Sequence, residues 1–301
     1  MGLVMEGRKT VGKVLCYGIV GVDQIVQVES YPERDGHAQI LTDEEYVGGE
    51  AANTAVTLSC LKVGVKLMGN TLGEDRRGSF FLRAIRPYRL DTCDLDVEQG
   101  VRTLHAVVVS DRGGARSILG YFPDLRSRPL QPGGLEGISL LSVDPFLGKN
   151  AVNAARMARE AGIGVFAIEL SGAHPLAELS DVVINSRGFM RRHKRDTASD
   201  VALGLLKAGV KTVVITRGGE GCTVYQENGS SFDQPAFSVP VRDTTGAGDG
   251  FRAGLIYGYL QGWTLTRSIQ FASGCAALTC CASGSGHIGG EEQVLRLIGS
   301  A

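Results

Sequence analysis

The stretch "DTTGAGDGFRAG", residues 243–254, places glycines, threonines and two aspartates directly before an apolar, helix-like segment. A helix that begins near Ala247 leaves the N–H groups of its first turn without intrahelical partners. Glycines at 246 and 248 allow a ligand to approach this backbone closely, and the helix dipole adds partial positive charge. The backbone of residues 246–249 is therefore predicted to bind an anion, most naturally a phosphate.

Asp249 lies in the first turn of this predicted helix. A carboxylate beside a phosphate-binding backbone is suited to accept the proton of a hydroxyl group that attacks phosphorus. We therefore predict that Asp249 is a general base. The alternative is an acidic residue that only stabilises the first helical turn, by about 0.3–1 kcal/mol. The Walker A pattern of other phosphate-binding loops does not occur in the chain.

The composition excludes several classes of partner. The 301-residue chain has a formal net charge of −1, which gives no electrostatic basis for binding nucleic acid or an anionic membrane. No stretch approaches the roughly 18 apolar residues of a membrane span, and the N-terminus has no apolar signal-peptide core. The seven cysteines include no C-x-x-C pair. We expect a reduced, cytoplasmic protein with no nucleic-acid or membrane partner.

Short apolar segments alternate with helix-like segments along most of the chain. This alternation predicts an α/β fold with a mostly parallel central sheet and helices on both faces, and places the site at the carboxyl ends of the strands. The predicted strands are residues 13–23, 65–70, 104–110, 138–145, 164–170, 181–185 and 211–219. The predicted helices are residues 50–62, 74–86, 149–161, 197–208, 248–261, 265–282 and 290–298.

Two stretches depart from this alternation. Residues 23–49 alternate between polar and apolar side chains, and residues 101–122 resemble a hairpin with its turn at 111–114. They predict a small antiparallel β lid, formed from about 24–45 and 101–122, on one main domain over 12–301. Residues 1–11 are then an N-terminal extension. The exposed face of the lid is a predicted homodimer interface.

The quoted stretch resembles the C-terminal signature of the ribokinase-like (PfkB) carbohydrate kinases. Further segments agree with that family in the same order, from about residue 14 to residue 286. The resemblance implies ATP-dependent, Mg²⁺-assisted phosphorylation of a hydroxyl on a small sugar or sugar derivative. Asp249 would be the base, with Gly246, Ala247 and Gly248 in the anion hole. A nucleoside kinase of the same fold is an alternative, with Tyr31, Tyr46, Tyr121 and Phe122 as an aromatic shelf for the base.

The resemblance also implies residues in both halves of the site. The segments "GIVGVD" and "VGGEAANTAV", with the lid hairpin, supply the acceptor contacts, which are Asp23, Gly48, Gly49, Asn53 and Arg116. The segments "DVVIN", "VVITRGGEG" and "FASGCAAL" supply the nucleotide contacts, which are Asn185, Thr216, Gly218, Gly221 and Ser273. A monovalent cation, K⁺, is implied near Asp243, Thr245, Cys280, Ser283 and Ser285, mostly through backbone carbonyls.

Three positions depart from the family pattern. Gly188 stands where the Asn-x-x-Glu motif has its glutamate, which motivates a third alternative, a catalytically weak sugar- or nucleotide-binding protein. Lys62 stands where a glycine usually follows the first helix. Gly250 replaces a side chain directly after the predicted base. With Gly254 and Gly258 it forms one helical face, which predicts close packing of that helix against the sheet.

Overall fold

The computed structural model describes residues 12–111, 116–122, 125–192, 197–284 and 288–300. Within these ranges the strands are β1 (Lys13–Gly18), β2 (Gly21–Val28), β3 (Ile40–Gly48), β4 (Val65–Gly69), β5 (Leu72–Gly73), β6 (Val97–Glu98), β7 (His105–Ser110), β8 (Arg116–Tyr121), β9 (Ile138–Val143), β10 (Gly164–Ile168), β11 (Val182–Ser186), β12 (Thr212–Thr216), β13 (Cys222–Gln226) and β14 (Ser231–Gln234). The α-helices in the same ranges are α1 (Glu50–Cys60), α2 (Arg76–Ile85), α3 (Lys149–Glu160), α4 (Arg187–Arg192), α5 (Ala198–Lys207), α6 (Ala247–Leu260), α7 (Leu265–Thr279) and α8 (Glu291–Gly299).

The large sheet has eight strands in the order β14-β13-β12-β11-β10-β9-β1-β4. The pairs from β4 to β12 are parallel, and the pairs that add β13 and β14 are antiparallel. The predicted α/β fold with a mostly parallel sheet is therefore confirmed. The hairpin of β13 and β14 and the short helix α4 were not among the predicted elements. The "ENGSS" turn between β13 and β14, with Gly229 at φ 82, was the available signal.

Side chains of β1 alternate between two buried layers, as expected for a strand covered on both faces. Val14 and Cys16 join the core with α1, α6 and α7, whereas Leu15 and Tyr17 join the core with α3 and α5. Helix α3 contributes only alanines to its fully buried face, so it can lie close to the sheet. Both cores thus position the strand ends and helix starts that form one edge of the sheet.

The chain passes from the large sheet to a small one between β1 and β2. The sequence predicted one continuous strand over 13–23, but β1 ends at Gly18 and β2 begins at Gly21. Buried side chains hold the two intervening residues: the Ile19 N–H donates to Asp144 Oδ2 at 2.9 Å, and the Val20 N–H donates to Asn70 Oδ1 at 2.9 Å. These contacts compensate the backbone groups that leave one sheet before joining the next.

The small sheet has the order β3-β2-β7-β8. Its two hairpin pairs, β2 with β3 and β7 with β8, are antiparallel as predicted. The hairpins join through a parallel β2–β7 pair, which the sequence pattern did not indicate. The strands extend from Gly21 to Gly48 on one side, wider than the predicted 24–45. Residues 112–114 of the predicted turn lie outside the described residues.

The three glycines of α6 face α7, so the prediction that they pack against the sheet was wrong. A Cβ on Gly254 would lie 2.7 Å from the Ala272 Cα, and one on Gly258 would lie 2.5 Å from Ser268 Oγ. A Cβ on Gly250 would lie 2.5 Å from Thr279 Oγ1. Because α7 covers this face of α6, the opposite face is the one that meets α1 and the sheet. The absence of a side chain at Gly250 is therefore explained by the close packing of α6 on α7.

Lys62 adopts φ 62 in the turn after α1, at the position where the family pattern described above usually has glycine. The left-handed region costs an L-residue roughly 1–2 kcal/mol, so the turn is retained at some cost in backbone strain. None of the helices in the described ranges is both long and apolar enough to cross a bilayer.

Candidate active site

The predicted anion-binding backbone, residues 246–249, lies at the start of α6. Gly246 precedes the helix with φ 76, and Ala247 is the first helical residue. A Cβ on Gly248 would meet no atom within 4 Å, so the turn is open on that side. First-turn N–H groups have no intrahelical acceptors. The Ala247 N–H already donates to the Thr244 carbonyl at 3.3 Å, and the other first-turn N–H groups and the positive end of the helix dipole lie beside the open side of the turn.

This predicted anion cradle opens into a cavity of about 600 Å³. The cavity is lined by the predicted catalytic residues at 246–249, by Arg116, and by all five predicted nucleotide contacts. Segments that are far apart in the chain thus meet at one edge of the large sheet. Asp23, Gly48, Gly49 and Asn53 do not line this cavity. Asn53 contacts Asp249, and Asp23 lies near Asp243 and Asp249, as described next.

Asp249 is held on both carboxylate oxygens. Asn53 Nδ2 donates to Asp249 Oδ2 at 3.0 Å, and Arg252 Nη2 lies 3.5 Å from Asp249 Oδ1. Burial raises the pKa of Asp249 to about 7, with Asp144 and Asp23 adding to the rise and Arg252 and Asn53 opposing it. A carboxyl group that titrates near neutral pH is well matched to reversible proton uptake.

Asp23 lies on β2 beside the end of β3. A Cβ on Gly48 would lie 2.5 Å from Asp23 Cγ, so glycine is required there to admit this carboxyl. Burial raises the pKa of Asp23 to about 7, Asp243 adds to the rise, and Arg116 opposes it. Gly49, at φ 92, precedes α1, and a Cβ there would lie 2.4 Å from Ile19 O. Both glycines thus have packing roles that place Asp23 and Asn53.

The predicted cation residues surround the segment that leads into α6. Asp243 accepts hydrogen bonds from the N–H groups of Thr245 at 2.9 Å and Gly284 at 3.2 Å. The Cys280 carbonyl accepts from the N–H groups of Arg242 at 2.8 Å and Asp243 at 3.3 Å, so a cation there would compete with two donors. Ser283 hydrogen-bonds the Tyr46 side chain. Ser285 lies outside the described residues. The described residues contain no group of three or more His, Cys, Asp or Glu side chains arranged for a metal ion.

Two contacts connect the small sheet to this segment. Arg116, at the start of β8, donates from Nη1 to Thr245 Oγ1 at 3.5 Å. Tyr46 of β3 packs on Gly284, where a Cβ would lie 2.4 Å from the Tyr46 ring. The small sheet therefore lies against the approach to the cradle.

On the nucleotide side, both polar atoms of the Asn185 amide hydrogen-bond to the backbone of Leu170. Its Oδ1 accepts from the Leu170 N–H at 2.9 Å, and its Nδ2 donates to the Leu170 carbonyl at 2.7 Å. The residue before Leu170 is Glu169, whose φ of 54 is left-handed and whose carboxylate accepts from Ser186 N at 3.1 Å and Ser186 Oγ at 2.8 Å. Asn185 thus fixes the backbone that carries Glu169 into the cavity.

The remaining nucleotide residues form the cavity wall at the end of β12. Thr216 Oγ1 donates to the Asn185 carbonyl at 3.4 Å. Gly218 and Gly221 have φ values of 62 and 86, and a Cβ on Gly221 would lie 2.0 Å from the Gln234 carbonyl. Ser273 is buried on α7 and also lines the cavity. Gly218 and Gly221 therefore allow the tight turn that lines this side of the cavity.

The sequence profile of the pfkB family of carbohydrate kinases matches residues 11–132 and 149–290. The chain belongs to the pfkB family. It is 27% identical over 289 residues to an ATP-dependent ribose-1-phosphate kinase of Halopiger xanaduensis, covering 91% of this chain and 93% of that protein. It is 24% identical over 285 residues to a nucleoside kinase of Methanocaldococcus jannaschii, covering 90% and 91%.

Solved structures share the fold. A putative ribokinase from Agrobacterium tumefaciens superposes with a TM-score of 0.86 at 20% identity, over 96% of this chain and 98% of that one. A putative ribokinase II from E. coli, solved in complex with ATP and Mg²⁺, superposes with a TM-score of 0.79 at 20% identity, over 96% and 100%. These superpositions show the shared fold, and the family match places the chain among the pfkB carbohydrate kinases.

Sequence reasoning about this pfkB kinase missed four charged residues of the site: Glu50, Asp144, Glu169 and Arg252. Arg252 interrupts the otherwise apolar "FRAGLIYGYL" of α6, and a lone arginine in a buried helix predicts a buried partner. Asp144 directly follows the apolar strand β9. Glu50 lines the cavity after the two glycines, and burial raises its pKa to about 8, with Asp144 and Asp249 adding to the rise.

Proposed function

We propose that this pfkB kinase transfers the γ-phosphoryl group of ATP to a hydroxyl of a small sugar or sugar derivative, with Asp249 as the general base. The observation that carries the proposal is the position of Asp249 at the cradle, bonded to Asn53 on its acceptor side. The backbone donors of 246–249 would neutralise charge that develops on the transferred group. The pKa of Asp249, raised to about 7, suits a base that takes the hydroxyl proton and returns it to solvent.

The donor set fits magnesium ATP. Glu169 is the one carboxylate lining the cavity on the nucleotide side, among the residues that the structure describes. Glu169 supplies a carboxylate oxygen close to Gly188, the position at which the Asn-x-x-Glu motif has its glutamate. We propose that Glu169 interacts with the metal, directly or through water, and that Asn185 acts by positioning it. Mg²⁺ held there would offset the negative charge of the ATP phosphates.

We propose that the small sheet is a lid that excludes water from the cavity. The contacts of Arg116 with Thr245 and of Tyr46 with Gly284 support a closed position over the cradle. The outer strand β8 exposes Ile118 at 55% and Leu119 at 64%, which supports a homodimer through this edge. A monovalent cation such as K⁺ near Asp243 is part of the same proposal. No disulfide joins the seven cysteines, all of them described, which supports a reducing cytoplasmic location.

The acceptor class is the least determined part of the proposal. A nucleoside would need an exposed aromatic shelf, but Tyr31 donates to the Val109 carbonyl at 2.6 Å and Tyr121 stacks on His105 at 5.2 Å. Phe122, at 67% exposure, is the least engaged of the proposed shelf residues. These contacts favour a sugar, while the nucleoside kinase relative keeps nucleosides in the experiment.

The deciding experiment is ADP release from ATP and Mg²⁺, with and without K⁺, across pentoses, hexoses, sugar acids, phosphosugars and nucleosides. Asp249→Asn runs in parallel. Activity on a sugar that disappears in the variant supports the proposal. Activity on nucleosides alone would show that the acceptor is a nucleoside and not a sugar. Sugar-induced thermal shifts without ADP release from any acceptor would instead support the alternative of a ligand-binding protein.

A further inference from the structure

Arg252 is a buried arginine on α6, one turn after Asp249. Its side chain is 1% exposed, and that of its partner Asp144 is 0% exposed. An ionised guanidinium is costly to bury, so it persists only where several partners compensate it. The identity of those partners shows which parts of the site depend on it.

The guanidinium contacts three separate parts of the fold. Its Nη1 donates to Asp144 Oδ1 at 2.5 Å, directly after β9. Its Nε donates to Thr54 Oγ1 at 2.8 Å and its Nη2 to the Glu50 carbonyl at 2.5 Å, both on α1. The same Nη2 lies 3.5 Å from Asp249 Oδ1. One side chain thus joins α6, α1 and the end of a central strand.

We propose that Arg252 and Asp144 are a positioning pair for Asp249: Arg252 fixes the carboxylate against Asn53, and Asp144 keeps the guanidinium neutralised when Asp249 takes up a proton. This inference rests on the proposed function, because it takes Asp249 as the base. Neither residue needs to touch substrate.

The geometric half of the proposal follows from the shared helix. Asn53, which holds Asp249 Oδ2, lies on α1 between Glu50 and Thr54. Arg252 holds α1 at those two flanking positions. The planar guanidinium therefore sets the distance between the amide of Asn53 and the carboxylate of Asp249. An ammonium group could not make the same set of bonds.

The electrostatic half follows from charge balance. When Asp249 accepts a proton it loses its negative charge, and Arg252 would then be a buried cation without compensation if Asp144 were absent. Asp144 is itself fixed, because its second oxygen accepts from the Ile19 N–H at 2.9 Å. The pair can therefore stay intact while the charge on Asp249 changes.

Other titratable groups also face Asp249, from each element packed on it. They are Asp23 on β2, Glu50 at the start of α1 and Cys16 on β1. Among all of these, Arg252 favours the ionised carboxylate, whereas Asp144 and Asp23 favour the protonated one. Removing Arg252 and removing the charge of Asp144 should consequently have opposite effects on the pH dependence of the reaction.

The test is the dependence of kcat on pH for Arg252→Met and Asp144→Asn. Loss of an opposite charge at this range raises a carboxyl pKa by about one unit or more, so the acidic limb of Arg252→Met should move to higher pH by that amount. The limb of Asp144→Asn should move to lower pH. If both limbs stay at the wild-type position while activity falls with the folded fraction, the pair is merely structural and the proposal is overturned.

Arg252→Lys separates charge from geometry. It retains the positive charge, so its limb should stay near that of the wild type, while kcat falls by about tenfold or more because the base is less well placed. The KM for ATP should stay within about twofold of wild type, since ATP binding does not depend on the hydroxyl-to-base geometry. A Lys variant with full kcat would refute the positioning role.

The double variant Arg252→Met with Asp144→Asn covers the case in which Arg252→Met does not fold. It leaves no buried charge without a partner, and the amide oxygen introduced in place of the Asp144 carboxylate can still accept from the Ile19 N–H. Thermal stability should therefore recover relative to Arg252→Met. Its limb should return toward the wild-type position while kcat stays low. Recovery of kcat together with stability would contradict the proposal.

The control variant is Arg159→Met, which removes an arginine from an ion pair with Asp181 at 2.9 Å, outside the cavity. Its kcat and limb should match the wild type. Asp249→Asn distinguishes the two levels of inference. If that variant keeps its activity, the proposed base is wrong; if it is inactive while the Arg252 and Asp144 limbs do not move apart, only the positioning pair is wrong.

Discussion

The two halves of the site use their polar groups differently. On the nucleotide side, the amide of Asn185 is bonded to Leu170, and the turns that line the cavity carry one carboxylate, Glu169, among the described residues. On the acceptor side, Asp23, Glu50 and Asp249 are partly buried, and desolvation raises the pKa of each. Turns and backbone groups dominate the first half, and partly buried carboxyl groups dominate the second.

Because of this difference, we expect the binding of the two substrates to respond differently to pH and to substitutions. Backbone donors do not titrate, so binding on the nucleotide side should change little with pH or with side-chain substitutions other than that of Glu169. The acceptor side contains carboxyl groups that titrate near neutral pH, so proton uptake and acceptor binding should depend strongly on both. Each prediction below tests one side against the other.

The largest expected effect is that of Asp249→Asn. The amide keeps the shape but cannot accept a proton, so kcat should fall by about 10²–10⁴-fold while ATP affinity changes little. Steady-state kinetics and calorimetric ATP titration measure the two quantities. Glu160→Gln, an exposed substitution at the end of α3, is the control. An active Asp249→Asn enzyme would show that Asp249 is not the base.

A smaller effect is expected for Asp23→Ala. Loss of charge-assisted hydrogen bonds to acceptor hydroxyls should raise the acceptor KM by roughly 10–100-fold, and the ATP KM should stay nearly constant. Both constants are obtained from initial rates with the other substrate saturating. Equal increases in the two values would show that the halves are not separate.

Glu169→Gln should weaken metal binding on the nucleotide side. We expect about a tenfold loss of Mn²⁺ affinity in the presence of a non-hydrolysable ATP analogue, because a carboxylate near the metal is replaced by an amide. Electron paramagnetic resonance of free Mn²⁺ gives the affinity without turnover. Glu220→Gln, which loses the exposed pair with Arg187, is the matched control and should bind Mn²⁺ normally. Unchanged affinity in Glu169→Gln would place the metal elsewhere.

The smallest effect concerns stability. The folded-state pKa of Asp23, raised to about 7, lies above its ordinary value of 3.8, so the folded state binds more protons than the unfolded state between these pH values. Stability from this group is therefore present at low pH and is lost as pH rises through about 7. Asp23→Asn should melt at a higher temperature than wild type at pH 8 and at a similar temperature at pH 4. An equal difference at both pH values would contradict the raised pKa.

Local sequence patterns were sufficient for the helix start at Ala247 and for most strands. Gly246 and Asp249 lie within a few residues of each other, and a helix start imposes its own geometry on them. The Arg252–Asp144 pair joins residues 108 positions apart, so no local pattern records it. The parallel β2–β7 register and the packing of the α6 glycines on α7 also depend on how distant elements meet. Glu169 could not be found from the missing glutamate at 188, because its position depends on the left-handed turn that Asn185 holds.

The fixed link between the two sheets has a consequence for hydrogen exchange. The Ile19 and Val20 amides are bonded to buried Asp144 and Asn70, and Asn70 Nδ2 also donates back to the Val20 carbonyl at 3.0 Å. Movement of the small sheet should therefore occur beyond this link, with the two amides remaining protected while those of β3 and β8 exchange. Asp144 also binds Arg252 on the catalytic helix. In an Asp144→Ala variant the Ile19 amide should therefore exchange faster, and its rate would report the loss of this connection to the helix.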